Sequence, residues 1–393
     1  MKHTLSRRLV VSSVALAIAA LVARPAKPAR RPHYGGTLRV EIGASVTSLD
    51  PAAKSASSEE TAAKRQIESL IYENSSSGGT TPSVAGSGPF RISEWEPGKQ
   101  LTLVANDDYS GGRPFVDAIE IDMGRSVHDR LTDLEVGRTD FSEIPAEDAR
   151  QAAGSGVRIT ASRPDELLAI VVSPGHPATS DARLRQAVAY SLNRAAIVDF
   201  ILQREGEPAG GLLPQWSSGT AFLFPTTAEP SHAKELRSQI AGSPLIRLGY
   251  DSGDVLEESI ADRISVDARE VGISIADAPL QLGASANRSD ARLVRVSMIS
   301  PHPAVALAGL LSVLNPLAGL STALPSDASS AQEIYTAQRS AVGGFWIVPV
   351  VWVPRVYGLS SRIRDWQTPA TGDTWPLANV WLDMISSSAA KQN

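Results

Sequence analysis

The residues that could support catalysis or metal binding are scattered along this chain. The chain has six histidines, none of which is paired with another at the spacing of metal ligands. His176 and His302 are each followed by proline, which favours extended loops, so we expect both side chains to be solvated; a nickel or zinc site built from distant histidines stays the alternative. The sequence also contains no His-Glu-x-x-His, no Walker loop and no Gly-x-Ser-x-Gly elbow. The sequence therefore assigns no catalytic residue, no metal site and no cofactor.

Two acidic pairs are the remaining candidates for acid–base chemistry. Asp107-Asp108 ends a predicted hairpin, and Glu257-Glu258 lies in the first turn of a predicted helix. Carboxylates in such places are usually solvated, so we expect both pairs to be exposed. An exported hydrolase stays an alternative that rests only on dispersed Ser, His and Asp residues.

The composition indicates an exported globular protein. The length of 393 residues suits two or three domains or one bilobal unit, and the net charge of −5 argues against a nucleic-acid partner. Residues 1–23 combine a basic start with an apolar run and predict a signal peptide, with an uncleaved anchor as the alternative. Residues 24–33 are rich in Pro and Ala and predict a disordered linker.

The chain contains no cysteine. This excludes disulfides, thiolate metal sites and the lipidated cysteine that anchors many binding proteins. We therefore expect a soluble bacterial periplasmic protein that is not a lipoprotein.

Hydrophobic periodicity predicts alternating strands and helices. Residues 37–42 alternate as a strand, 59–72 form an amphipathic helix, and 88–109 form a hairpin around a Pro-Gly turn. Residues 167–173 form a continuous apolar run, as expected for a strand covered on both faces. Asp181 is placed to cap a long helix that extends to about Gln203.

The clearest supersecondary unit covers residues 245–276. A strand, a helix capped by Asp254 and ended by Gly272, and a second strand follow one another with short loops. This order predicts a βαβ crossover and hence a parallel sheet. Near the end, residues 328–342 predict a helix and 345–353 an apolar strand, in which Pro349 indicates a bent or edge position. The fold class is α/β.

Seven blocks of the sequence carry recognisable motifs: residues 34–40, 48–51, 71–73, 88–109, 131–140, 181–194 and 334–350. In the same order, these blocks resemble segments of the family 5 extracellular solute-binding proteins, the peptide- and nickel-binding receptors of ABC importers. The chain departs from the family by being shortened in the first lobe, where residues 74–88 replace a long stretch with an extra subdomain.

The resemblance implies a two-lobed, periplasmic-binding-protein-like fold of type II, cluster C, with a hinge between the lobes. Lobe I would comprise residues 34–179 and 351–393, and lobe II residues 180–350. The implied function is capture of a peptide-like solute in the periplasm and its delivery to an ABC permease of the inner membrane. The protein would act as a monomer and would leave the solute chemically unchanged. The alternative is a reduced, receptor-like protein that acts as a sensor or interaction module without transport.

The resemblance also implies where a ligand would bind. The residues it brings to the cleft are Ser45, Ser48, Tyr72, Trp216, Arg295, Ser297 and His302. Trp216 would form an aromatic wall, although filling the core of its own lobe is an equal alternative. Family peptide receptors hold the peptide amino group with an Asp, and residues 295–303 contain no carboxylate at the comparable point. We therefore expect a ligand amino group to lack an anionic partner here.

Overall fold

The computed structural model of the protein describes most of the chain from residue 31 onward. The described residues are 31–50, 53, 55, 58–72, 87–218, 223, 226–280, 289–326, 329–372 and 374–383. The predicted signal peptide and almost all of the predicted linker lie outside them. The described residues from 34 onward form one compact unit. No helix within the described residues is both long enough and apolar enough to span a membrane.

Fifteen strands form the framework of the described residues. They are β1 Thr37–Glu41, β2 Phe90–Glu96, β3 Gln100–Ala105, β4 Ala118–Asp122, β5 Phe141–Ile144, β6 Arg158–Ala161, β7 Glu166–Val172, β8 Glu207–Pro208, β9 Leu245–Asp251, β10 Ser274–Leu280, β11 Ala291–Ser297, β12 Ile347–Val353, β13 Val356–Leu359, β14 Ile363–Arg364 and β15 Trp381–Leu382.

Helices connect and cover these strands. They are α1 Ser58–Ile71, α2 Val127–Glu135, α3 Ala149–Gly154, α4 Ala182–Ser191, α5 Arg194–Ala196, α6 Gln215–Ser218, α7 Pro230–Ser238, α8 Val255–Glu270, α9 Pro303–Ala318 and α10 Ala331–Val342.

The first half of the molecule is built on a seven-stranded sheet in the order β2-β3-β4-β1-β5-β13-β6. The predicted hairpin is confirmed, since β2 and β3 pair antiparallel and Gly98 takes the positive φ of +75° that the turn requires. In the centre, β1 runs parallel to both β4 and β5. Helix α1 and the C-terminal segment around Trp375 bury one apolar core with this sheet.

The second half is built on a six-stranded sheet in the order β10-β9-β11-β7-β12-β8. The predicted βαβ unit is confirmed, because β9 and β10 pair in parallel through α8. Strand β7 is buried along its whole length, and its side chains alternate between two apolar cores on opposite faces of the sheet. The strand around Pro349 is irregular, as expected, with a register shift against β7 between Pro349 and Val351.

The predicted long helix over residues 181–203 is wrong in one respect. Asp181 caps α4 as expected, but the helix ends at Ser191. Asn193 begins a new helical turn, in which the Ala196 N–H donates to Asn193 Oδ1 at 3.1 Å. A π-helical turn, Ile197–Ile201, continues it. The break exists because the Asn193 N–H donates to Asp267 Oδ2 of α8 at 2.8 Å instead of to the helix.

Two short crossings join the halves, one over residues 162–165 between β6 and β7, the other over residues 354–355 between β12 and β13. They lie side by side: Ser162 N–H donates to the Arg355 carbonyl at 2.9 Å, and Arg355 N–H donates to Ser162 Oγ at 3.0 Å. Because β7 and β12 both belong to the six-stranded sheet, we propose these crossings as the lobe boundaries, in place of the predicted positions after residues 179 and 350.

Candidate functional site

A cavity of about 340 Å³ lies between the two halves, next to the crossings. Its walls follow the carboxyl ends of parallel strands, namely residues 42–44 after β1, 145–147 after β5, and residues 251 and 253–256 at the end of β9. Open α/β sheets leave a crevice at such strand ends, because the connecting chain departs there toward the covering helices. The rest of the wall comes from α1, α2, β7, β11 and residues 353–356. We call this space the cleft.

Arg355 lies where the second crossing meets the cleft, with only 6% of its surface exposed. Its Nη2 donates to Glu166 Oε1 and to Ser297 Oγ, each at 2.9 Å, and its Nη1 lies 3.6 Å from Glu143 Oε2. Burial alone would lower the pKa of Arg355, but attraction to Glu166, Glu143 and Asp165 holds it well above its usual value. Arg355 therefore links Glu143 of the first half to Asp165 and Glu166, which lie at the start of the second half.

Arg295 forms the second ion-paired group of the cleft. Its Nη2 lies 2.6 Å from Asp254 Oδ2, and its Nη1 lies 3.5 Å from Glu166 Oε2. Burial would raise the pKa of Glu166, but Arg355 and Arg295 together hold it below its usual range. Asp254 also caps α8, accepting from the N–H groups of Leu256 and Glu257 at 3.0 Å. The pairing thus fixes the start of α8 against the edge of the cleft.

Arg130, Glu59 and Glu147 line the cleft without a salt bridge among the residues described. Arg130 is 7% exposed and donates from Nη1 to the Glu143 carbonyl, while its Nε has no hydrogen-bond partner in the described part of the chain. Glu147 Oε2 is likewise buried without a partner there. Burial raises the pKa of Glu147 and of Glu59, although solvent reaches the Glu59 side chain through the cleft.

Two of the residues predicted from the sequence belong to this network. Arg295 lines the cleft, and Ser297 Oγ donates to Glu166 Oε1 at 3.1 Å while it accepts from Arg355. The other predicted residues are not among those that line the cleft: Ser45, Ser48, Tyr72, Trp216 and His302.

Those residues have local partners. Ser48 Oγ accepts from the Asp50 N–H at 3.2 Å, and Tyr72 packs against the core of the first half. Trp216 packs against the core of the second half and donates from Nε1 to the Pro164 carbonyl at 2.9 Å, as the core-filling alternative expects. His302 is exposed at the start of α9. Ser45 lies against Gly124.

Three expectations about charged residues need correction. Glu257 is buried rather than exposed: only 5% of its surface is accessible, and its Oε2 accepts from the Asp251 N–H at 2.9 Å. Glu258 and the Asp107-Asp108 pair are exposed as expected. His176 is not simply solvated, since Nδ1 lies 3.0 Å from Asp290 Oδ1. The expectation that a ligand amino group would lack an anionic partner is also wrong. Residues 295–303 contain no carboxylate, but carboxylates from other strands and helices line the cleft.

Sequence reasoning missed most of the charged cleft residues, because they come from distant segments. Glu143 and Glu147 flank the end of β5. Glu166 is the first residue of β7, and a charged residue directly before an apolar run was the one sequence signal that could have indicated it as a site residue. The arrangement can hold a charged ligand through ion pairs and hydrogen bonds. Among the described residues, no group of three or more His, Cys, Asp or Glu side chains is placed to hold a metal ion.

Comparison with known proteins identifies the architecture. The family model of the bacterial extracellular solute-binding proteins, family 5, matches residues 44–298. The oligopeptide-binding protein AppA of Bacillus subtilis is 31% identical over 125 residues, which is 32% of this chain and 23% of that protein. Protein XP55 of Streptomyces lividans is 26% identical over 205 residues, 48% of this chain and 38% of that protein. The matches thus span well under half the length of these curated relatives.

Solved structures show the same fold. The structure of AppA from Bacillus subtilis in complex with a nonapeptide has a TM-score of 0.68 at 15% identity, and the match covers 90% of this chain and 100% of that one. The ABC transporter substrate-binding protein CtaP of Listeria monocytogenes has a TM-score of 0.64 at 21% identity, covering 76% of this chain and 67% of that one. These neighbours are two-lobed periplasmic binding proteins. With a family model matched over most of its length, this chain belongs to the bacterial extracellular solute-binding proteins of family 5.

Proposed function

We propose that the protein is exported to the periplasm, captures a peptide-like solute in the cleft and delivers it, as a monomer and chemically unchanged, to an ABC permease of the inner membrane. The observation that carries the proposal is the position of the cleft. Both halves contribute to its wall, and residues 354–355 of the second crossing are part of it. A rotation about the crossings would therefore change the cleft directly, as capture by lobe closure requires.

The relatives support a peptide-like solute. AppA of Bacillus subtilis is named an oligopeptide-binding protein, and its structure contains a nonapeptide. The cleft of about 340 Å³ lies at the small end of the usual range for ligand sites, so a short peptide fits it better than a long one. A micromolar dissociation constant requires about −8 kcal/mol of binding free energy, which a few ion pairs and backbone hydrogen bonds can supply.

Thermal unfolding with and without solutes tests the proposal. The chain without its predicted signal peptide is heated with tripeptides, sugars or nickel salts. A solute at about a hundred times its dissociation constant should stabilise the protein by about 2.7 kcal/mol. We expect tripeptides to raise the unfolding temperature. The absence of a shift with every solute would contradict capture and favour the receptor-like sensor, and turnover of a chromogenic ester or peptide would favour a hydrolase.

Two valines of α8 provide matched variants. Val255 lines the cleft with 71% of its surface exposed, whereas Val266 is 44% exposed on the same helix and lies outside the cleft wall. Val255→Trp should fill part of the cleft and reduce the ligand-induced shift, because the indole occupies ligand volume. Val266→Trp should leave the shift unchanged. Equal effects of the two variants would show that the ligand binds elsewhere.

A further inference from the structure

The charges of the cleft are unequal. Among the described residues that line it, six are carboxylates and three are guanidinium groups, so anionic groups outnumber cationic ones two to one. The carboxylates are Glu59, Glu143, Glu147, Glu166, Asp251 and Asp254, and the cations are Arg130, Arg295 and Arg355. An excess of one charge in a partly enclosed space attracts a ligand of the opposite charge, because field lines concentrate between low-dielectric walls.

The existing ion pairs do not remove this excess. Arg355 is committed to Glu166 at 2.9 Å and lies within 3.6 Å of Glu143, and Arg295 is committed to Asp254 at 2.6 Å. Each of these two arginines already pairs with its own carboxylates, so neither is free to neutralise the remaining ones. Glu59 and Glu147 are left without a salt bridge in the described part of the chain.

Four cleft residues, Arg130, Glu147, Arg295 and Arg355, each have a buried side-chain atom without a hydrogen-bond partner in the described part of the chain. Arg295 and Arg355 already form salt bridges, so Glu147 and Arg130 are the two for which a ligand is the natural missing partner. Glu147 Oε2 is an acceptor, and Arg130 Nε is a donor on a side chain that is 7% exposed; neither has a hydrogen-bond partner among the described residues. Native proteins rarely leave such groups unpaired, because each unmade hydrogen bond in a buried place is unfavourable. Burial raises the pKa of both Glu59 and Glu147, although the charges of Arg130 and Arg295 oppose the rise at Glu59 and that of Arg295 opposes it at Glu147.

We propose that the cleft selects a ligand of net positive charge, whose ammonium or guanidinium group pairs with Glu147 in the field of Glu59, and whose carbonyl group accepts from Arg130. This assignment rests on the proposed capture function and gives the chemical class of its solute. A short peptide with a lysine or arginine side chain has both groups. A polyamine has the cationic group alone and should bind more weakly.

Isothermal titration calorimetry with Gly-Lys-Gly, Gly-Gln-Gly, Gly-Glu-Gly and spermidine tests the assignment. The three peptides share their backbone and termini and differ in side-chain charge. We expect Gly-Lys-Gly to bind at least about tenfold more tightly than Gly-Gln-Gly, and Gly-Glu-Gly to bind most weakly. Equal affinities for the three peptides would overturn the charge selection while peptide capture stands. Spermidine binding without peptide binding would overturn the role of Arg130, and binding of none of the four would overturn both proposals.

A matched pair of variants tests the role of Glu147. Glu147→Gln keeps the shape of the side chain and removes its charge, so we expect the affinity for Gly-Lys-Gly to fall about tenfold and that for Gly-Gln-Gly to stay within about twofold. Glu120→Gln makes the same change at an exposed position of β4 outside the cleft and should alter neither affinity. An equal loss for both peptides in Glu147→Gln, with the fold intact by circular dichroism, would overturn the pairing. Glu59→Gln should reduce the selectivity to a smaller extent.

Discussion

Arg355 is the residue on which the junction of the two halves most depends. Its guanidinium lies among Glu166, Glu143 and Asp165, with Glu166 Oε1 at 2.9 Å. Arg355→Met would leave these carboxylates facing one another in a buried place, so the free energy of unfolding should fall by about 3–5 kcal/mol. Urea denaturation followed by tryptophan fluorescence measures the change.

A surface arginine provides the comparison. Arg91 pairs with Asp108 at 2.9 Å, but its side chain is 49% exposed, so Arg91→Met should cost less than about 1 kcal/mol. Adding Glu166→Gln to Arg355→Met should recover part of the loss, since one uncompensated charge disappears. A loss for Arg355→Met no larger than that for Arg91→Met would show that the buried network contributes little.

Glu257 should give the stability of the protein a characteristic pH dependence. Burial, with a smaller contribution from Asp254, raises the pKa of Glu257 to about 7, and the Asp251 N–H and Arg295 oppose the rise. Between the unfolded-state pKa of about 4.5 and 7, the folded protein keeps a proton that the unfolded chain has lost. The free energy of unfolding therefore falls as the pH rises through this window and stays low above it.

The variant Glu257→Gln removes this titration. It should stabilise the protein at pH 8 by at most about 3 kcal/mol and have little effect at pH 5, which unfolding temperatures at the two pH values will show. Glu258→Gln, at the exposed neighbouring position, should leave the pH profile unchanged. Destabilisation by Glu257→Gln at pH 8 would mean that the carboxylate is favourably ionised in the folded protein.

At the scale of elements, α10 depends on a reciprocal cap at its first turn. Ser330 Oγ accepts from the Glu333 N–H at 3.3 Å, and Glu333 Oε2 accepts from the Ser330 N–H at 2.6 Å. Ser330→Ala removes one half of this capping box and should lower the free energy of unfolding by about 1 kcal/mol without changing ligand affinity. Ser312→Ala, at an exposed position inside α9, should have almost no effect, and an equal loss there would indicate that the cap is not the cause.

Local patterns predicted the elements well wherever the stabilising contacts are themselves local. The βαβ unit carries its cap, its apolar stripe and its terminal glycine within residues 245–276, and the hairpin carries its turn residues. The break at Asn193 could not be predicted, because its cause is Asp267, far along the chain. The cleft was missed for the same reason: Arg355 and Glu166 are far apart in the chain and meet through the pairing of β12 with β7, and no spacing in the sequence records that contact.

For the whole molecule, we expect lobe motion to occur about the paired crossings at residues 162–165 and 354–355. Just two short segments join the sheets in the described part of the chain, and they hydrogen-bond to each other, so bending there disturbs neither sheet. Ligand binding should draw the lobes together, because a cation in the cleft attracts carboxylates from both of them, such as Glu147 and Asp251.

Spin labels can measure this closure, and the absence of cysteine makes the labelling specific. Glu120→Cys lies on β4 of the first half and Arg269→Cys on α8 of the second, both at exposed positions. The distance between the two labels should shorten when Gly-Lys-Gly is added, whereas a second pair within one half, Arg269→Cys with Ser312→Cys, should keep its distance. The labels at positions 120 and 269 lie in different halves, so the distance between them changes only if the halves move relative to each other. If this distance stays the same when the ligand is bound, closure is ruled out. Shortening of both distances would instead indicate deformation within the second half, so that the crossings would not be the hinge.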